Sequence, residues 1–188
     1  MITIRTERPV EEQAREALLD AAYGAARNAK PSAKLRNGRL PASGLALVAF
    51  ERGRMVGTVR LWHVRAGRDR PALLLGPLAV HPAHRGRGIG SALMRQALAT
   101  AAERGHAAVL LVGDAAYYGR FGFSADKTGA LRVAGADPAR LLGLELKAGA
   151  LDGAHGAIAA TGERQRSPML GALAPTATVR PRLHPRAA

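Results

Sequence analysis

Residues 84–94 read HRGRGIGSALM, with Gly86, Gly88 and Gly90 alternating with arginine and isoleucine between the apolar run PALLLGPLAV (71–80) and a helix-like segment. Glycine reaches positive φ without steric cost and lets a ligand approach the backbone closely. The first amides of a helix have no acceptor inside it, and the helix dipole adds partial positive charge there. A glycine loop opening a helix is therefore an anion site, and Arg85 and Arg87 add whole charges to it. The ligand group this implies is a phosphate or pyrophosphate. An ordinary surface turn needs one special glycine rather than three.

Working outward, residues 72–80 read as a central strand apolar on both faces, stopped with the help of Pro82. From 88 to 104 the apolar positions Ile89, Leu93, Ala97 and Ala101 fall four apart, and Gly105 supplies a stop. Residues 107–112 (AAVLLV) form a second buried strand, so the unit predicts a right-handed crossover between neighbouring parallel strands. Upstream, a helix is expected over 9–26, with Ala14, Ala17, Leu18 and Ala21 at helical spacing. A basic, Gly/Pro-rich connection over 28–44 follows, then an antiparallel hairpin made by 45–51 and 55–64 around the turn ERGR. Downstream, a short helix is expected at 115–121 and strands near 123–133 and 141–146. The pattern divides the chain into a domain at 1–150 and a C-terminal appendage at 151–188 that becomes a basic, partly disordered tail.

A chain of 188 residues, 47% hydrophobic and 22% charged, suits one domain with a buried core. The N-terminus lacks the apolar core of a signal peptide and the longest apolar run is too short to span a bilayer, which predicts a cytoplasmic protein without membrane association. With no cysteine there is no disulfide, thiolate zinc site or cysteine nucleophile. The net charge of +14 calls for an anionic partner or reflects a genome bias toward arginine and alanine codons, and with aromatics at only 4% a single-strand nucleic-acid surface is disfavoured.

Three phosphate-binding motifs compete for the glycine stretch. A P-loop needs Gly-Lys-Ser/Thr where Ile89, Gly90 and Ser91 follow Gly88. A Rossmann fingerprint needs a tight strand-to-glycine turn, yet HPAHR intervenes after Val80; only Asp114, near the end of the next strand, favours it. The third, Gln/Arg-x-x-Gly-x-Gly/Ala, is matched by Arg85, Gly88 and Gly90. With LGPLAVHP before it, GSALMRQAL after it and GDAAYYGRFGF further on, the chain resembles the GNAT superfamily of acyl-CoA-dependent N-acetyltransferases, one bacterial branch in particular.

The resemblance implies an α/β (α+β) fold with a mixed sheet of about six to seven strands, splayed between the fourth and fifth and flanked by helices. It implies that Leu78, Ala79 and Val80 line the pantetheine arm of coenzyme A, that Arg85, Gly86, Arg87, Gly88, Ile89, Gly90 and Ser91 cradle its pyrophosphate, and that Tyr117 also binds the cofactor. Acetyl-CoA is then the acyl donor, a small-molecule or protein amine the acceptor, and a homodimer is a possible assembly.

Acetyl transfer to an amine needs a neutral amine, a place for the developing oxyanion and a proton for the departing thiolate. Without a cysteine or a Gly-x-Ser-x-Gly elbow, direct attack in a ternary complex is expected. The resemblance makes Tyr118, in the pattern Tyr-x-x-Phe-Gly-Phe, the general acid, with Tyr117 the alternative. For the base, residues 73–80 hold no carboxylate, leaving Glu51, His63, His81 and Asp114, the last also a candidate helix cap. His81 and His84 lack a third ligand, so no metal is expected. The connection at 28–44 and Trp62 are where acceptor contacts are sought. Two other classes stay open: an acyl-CoA sensor without catalysis, and a nucleic-acid-binding protein using the basic tail.

Overall fold

A computed structural model describes residues 1–165, so the expected basic tail falls largely outside the described residues. The chain builds a mixed sheet of eight strands in the order β1-β2-β3-β4-β5-β7, with β6 and β8 joined at its side. The strands are β1 (Ile2–Thr6), β2 (Ala46–Glu51), β3 (Arg54–Ala66), β4 (Arg70–Val80), β5 (Ala108–Val112), β6 (Leu131–Arg132), β7 (Leu141–Glu145) and β8 (Gly156–Ala160). The helices are α1 (Glu12–Tyr23), α2 (Ile89–Glu103) and the short α3 (Ala115–Tyr118). No helix among the described residues is long and apolar enough to cross a membrane.

The central unit follows its local signals. In α2 the side chains four apart, Ile89, Leu93, Ala97 and Ala101, are all buried with Met94, and they pack on the face of β2, β3 and β4. Leu73, Leu74, Val109 and Leu110 are fully buried, as strands covered on both faces require. β4 and β5 are parallel neighbours joined through α2.

Their pairing is brief. Only Leu73 and Leu74 meet Val109 and Leu110, while β4 runs on to Val80 against β3 alone. The sheet therefore parts between its fourth and fifth strands, and the second half of β4 exposes a backbone edge.

Elsewhere tertiary contacts changed what local pattern suggested. In α1, a 3₁₀ turn at Pro9–Glu11 precedes the helix, and its buried residues are Arg15, Leu18 and Leu19, whereas Ala14, Ala17 and Ala21 are exposed. Arg15 is buried because Glu7 (2.5 Å) lies under it; Glu7 also holds Arg60 of β3 (2.7 Å), so a buried ion-pair network ties α1 to the sheet. Residues 2–6, not read as a strand, pair with β2. Of the strand expected near 123–133, only Leu131–Arg132 forms, with an isolated bridge from Ser124 to Gly143. The sheet holds eight strands rather than six or seven because these short pieces join it. β8, within the region read as an appendage, pairs with β3 through Val64, Arg65 and Ala66 and with β6.

Candidate active site

The parted strands open into a cleft of about 630 Å³. One wall is the open edge of β4, Leu75 to Val80; the opposite wall is the end of β5 with Gly113, Asp114, Tyr117 and Tyr118. The roof comes from the end of α1, with Tyr23, and from the segment carrying Lys30 and Arg36.

At one end of this cleft stands the glycine loop. Gly86 and Gly88 have φ of +75° and +76°, a left-handed conformation that a β-carbon disfavours. Gly88 is the residue that opens α2, and among the described residues no side chain caps it, so the first amides of this fifteen-residue helix have no acceptor there. Gly90 has a different reason: a β-carbon there would lie 3.1 Å from the Tyr117 hydroxyl and 3.5 Å from Val80 Cγ2. It allows α2 to approach Tyr117.

The two loop arginines are employed differently. Arg85 borders the cleft and donates to the carbonyl of Ala22 at the end of α1 (3.1 Å). Arg87 grips both carboxylate oxygens of Glu51 (2.9 and 2.6 Å) and does not line the cleft. Its hydrogen bond is the chief reason that the Glu51 carboxyl is lowered to about 2. The side chain of Ile89 is buried in the core, so that residue offers only backbone to a ligand; Ser91 is half-buried and does not line the cleft.

Leu78, Ala79 and Val80 do line it. The Leu78 carbonyl accepts a hydrogen bond from the Tyr23 hydroxyl, a contact that sequence reading missed because it joins residues 55 positions apart. Trp62, buried in the sheet, also reaches the cleft and donates from Nε1 to the Gly76 carbonyl (2.6 Å).

Tyr117 and Tyr118 meet edge to face at 4.9 Å, and Tyr118 also packs on Phe123. Burial, and secondarily the neighbouring Tyr23 and Tyr117, push the Tyr118 phenol above its ordinary value near 10. Its hydroxyl is a neutral donor at physiological pH, and a weaker acid than a free phenol matched to a thiol would be.

Of the base candidates only Asp114 lines the cleft. Its Oδ1 accepts from the Ala116 amide (3.0 Å), capping α3 as well. Glu51 is engaged by Arg87, and His84 Nε2 lies 3.3 Å from it. His81 accepts from the Ala83 amide through Nδ1 (3.3 Å), and His63 stacks against His106 in a separate pocket. Two cleft carboxylates that the sequence did not single out, Glu12 and Glu16, both bind Arg15, and Glu16 binds Arg27 as well. Burial acts to raise the Glu16 carboxyl, but its arginine partners outweigh that and hold it low. Among the described residues, no group of three or more His, Asp or Glu is gathered for a metal ion.

Comparison with known proteins decides the kinship. Residues 12–123 match the profile described as the Acetyltransferase (GNAT) family. The chain belongs to that family. It is 35% identical over 121 residues to the uncharacterized N-acetyltransferase YhbS of Escherichia coli (strain K12), spanning 64% of this chain and 72% of that protein. The crystal structure of the E. coli GNAT family N-acetyltransferase YhbS in complex with CoA superposes with a TM-score of 0.72 at 32% identity, covering 85% of this chain and 89% of that one. A GNAT family acetyltransferase from Brucella melitensis in complex with acetyl-CoA gives a TM-score of 0.60 at 30% identity, with 77% and 88% covered. The GNAT acetyltransferase architecture, with its mixed sheet parted beside a glycine-opened helix, is thus that of this chain.

Proposed function

We propose that the protein transfers an acetyl group from acetyl-CoA to a primary amine by direct attack in a ternary complex. The observation that carries this reading is the parting of β4 from β5 beside the start of α2, which puts an open backbone edge in a cleft that Arg85 and Gly90 of the glycine loop also line. The CoA and acetyl-CoA complexes of the two structural relatives support the choice of ligand.

In this reading the amides that open α2, with Gly86 and Gly88 shaping the loop, hold the pyrophosphate, and Arg85 adds charge at its edge. A strand residue presents its N–H and C=O to the same edge, so Leu78, whose carbonyl faces the cleft, offers its amide there too. The thioester supplies the activated acetyl group. Attack by the amine nitrogen on the thioester carbon forms the C–N bond as the C–S bond breaks. Tyr118 donates its proton to the departing sulfur and is reprotonated from solvent. Asp114, the cleft carboxylate not bound by an arginine, takes the proton lost by the amine, directly or through water.

The test is calorimetric titration with acetyl-CoA, beside Gly88→Glu, which places a side chain and a negative charge where φ is +76° and the helix opens. Binding by the wild type and its loss in the folded variant are expected. No binding by the folded wild type overturns the reading, and binding with no amine turned over leaves an acyl-CoA-binding protein.

A further inference from the structure

The cleft is cationic beyond what its carboxylates neutralise. Arg15, Arg27 and Arg60 are matched by Glu7, Glu12, Glu16 and Asp20. Arg36 is not: among the described residues no carboxylate lies within ion-pair distance, and its Nε donates only to the Ser32 carbonyl (3.2 Å). It is half-buried, and burial is the chief reason that its pKa is lowered to about 10; Tyr23 opposes the shift and Arg27 adds to it. Lys30, over the face of Tyr23 (4.2 Å), is a further cation of this cleft with no carboxylate in ion-pair distance among the described residues.

Position says which ligand these cations face. Arg36 Nη1 is 3.7 Å from where a β-carbon on Gly76 would stand, next to the carbonyl held by Trp62. The glycine loop lies beyond Val80, at the other end of the exposed edge. Val80 lies four residue steps beyond Gly76, or about 13 Å at roughly 3.3 Å per residue. Arg36 is therefore at the acyl-accepting end of the cleft and not at the pyrophosphate end.

We infer that the amine acceptor carries an anionic group, a carboxylate or a phosphate, and that Arg36, assisted by Lys30, binds it at the Gly76 end of the cleft. This rests on the acetyltransferase reading. Leaving a half-buried guanidinium without a counter-charge is unfavourable in the free protein, and an anionic substrate lowers that cost on binding. A polyamine meets like charge there, and a neutral amine gains nothing from the arginine. Planar, forked donors also favour carboxylate or phosphate oxygens taken two at a time.

The experiment has two arms, each run on the full chain and on Arg36→Gln, with thermal melts to show that the variant is folded. In the first, CoA release from acetyl-CoA is followed with amino carboxylates, amino phosphates, the neutral amide or alcohol analogue of each, and spermidine. Turnover confined to the anionic amines is expected, and which anionic class prevails separates carboxylate from phosphate. In Arg36→Gln, KM for the best acceptor should rise about 10- to 100-fold, the range of a charged hydrogen bond, with affinity for CoA unchanged. A neutral amine or spermidine as best acceptor overturns the inference, as does a variant that loses CoA affinity instead.

The second arm needs no catalysis. Trp62 is the only tryptophan and lines the cleft, so inorganic phosphate added to the CoA-saturated chain should change its fluorescence saturably, and Arg36→Gln should abolish the change. An absent or Arg36-independent response refutes the anion site. If CoA itself fails to bind, the acetyltransferase reading falls, and the Arg36 dependence of the phosphate response in the free chain still decides the site.

Discussion

Gly113→Ala tests the placement of Tyr118 with a single methyl group. A β-carbon on Gly113 would stand 2.3 Å from Tyr118 Cε2, 2.7 Å from Cδ2 and 2.9 Å from Leu111 Cδ1. Comfortable carbon–carbon separations are about 3.5–4.0 Å, so the ring edge must retreat by more than about 1 Å. Retreat is resisted, because the ring is held between Tyr117 and Phe123. Overpacking of this kind costs about 1–3 kcal/mol of stability, which leaves a folded protein whose hydroxyl is misplaced. A displacement near 1 Å at a reacting group costs about 100-fold in rate. The assay is steady-state acetyl transfer, with CoA affinity measured by calorimetry. The expected result is a kcat lowered about 100-fold with CoA affinity nearly unchanged. Tyr118→Phe should fall in the range of about 100- to 10,000-fold for loss of a general acid. The double variant should be no worse than Tyr118→Phe alone, because both act through one hydroxyl. Wild-type kcat in Gly113→Ala, with Tyr118→Phe impaired, would refute the geometric reasoning; full activity in both would remove Tyr118 from the chemistry.

Three further outcomes are expected. Glu7→Gln leaves Arg15 and Arg60 facing each other without their shared carboxylate, and should lower unfolding free energy by about 3–5 kcal/mol in urea titrations; a loss under about 1 kcal/mol would mean that the network contributes little. Leu93→Ala removes a fully buried side chain between α2 and β3 and should cost about 2–5 kcal/mol by the same measurement, an unchanged midpoint arguing against the packing described. The Glu51 carboxyl is lowered in the folded protein, chiefly by its Arg87 hydrogen bond, so its stabilising contribution is present above the ordinary glutamate range and lost as pH falls from about 4.5 to about 2. The stability difference between wild type and Arg87→Ala should shrink over that interval, and a difference independent of pH would rule the linkage out.

Much of the fold was legible because its central unit is governed by short-range rules. Glycine φ, a helix with apolar residues four apart and two strands apolar on both faces each identify themselves within a dozen residues, and together they place α2 between parallel β4 and β5. The same local signals pointed to the 78–80 edge and the paired tyrosines, which line one cleft, and to the glycine loop, of which Arg85 and Gly90 line it while Gly86, Arg87, Gly88, Ile89 and Ser91 do not.

What only the tertiary structure decided depends on partners far apart in the chain. Spacing cannot show that α1 buries Arg15 and exposes Ala14, Ala17 and Ala21, because the reason is Glu7 and, through it, Arg60 on β3. Nor can it show that Arg87 is spent on Glu51, that Tyr23 reaches the Leu78 carbonyl, or that Arg36 stands beside Gly76 with no carboxylate to meet it among the described residues. Sequence determined the glycine loop and the strands around it through backbone conformation and apolar periodicity. Tertiary structure decided which charges are neutralised and which face the cleft, since an ion pair depends on separation in space and on burial, and neither quantity is written in a local pattern.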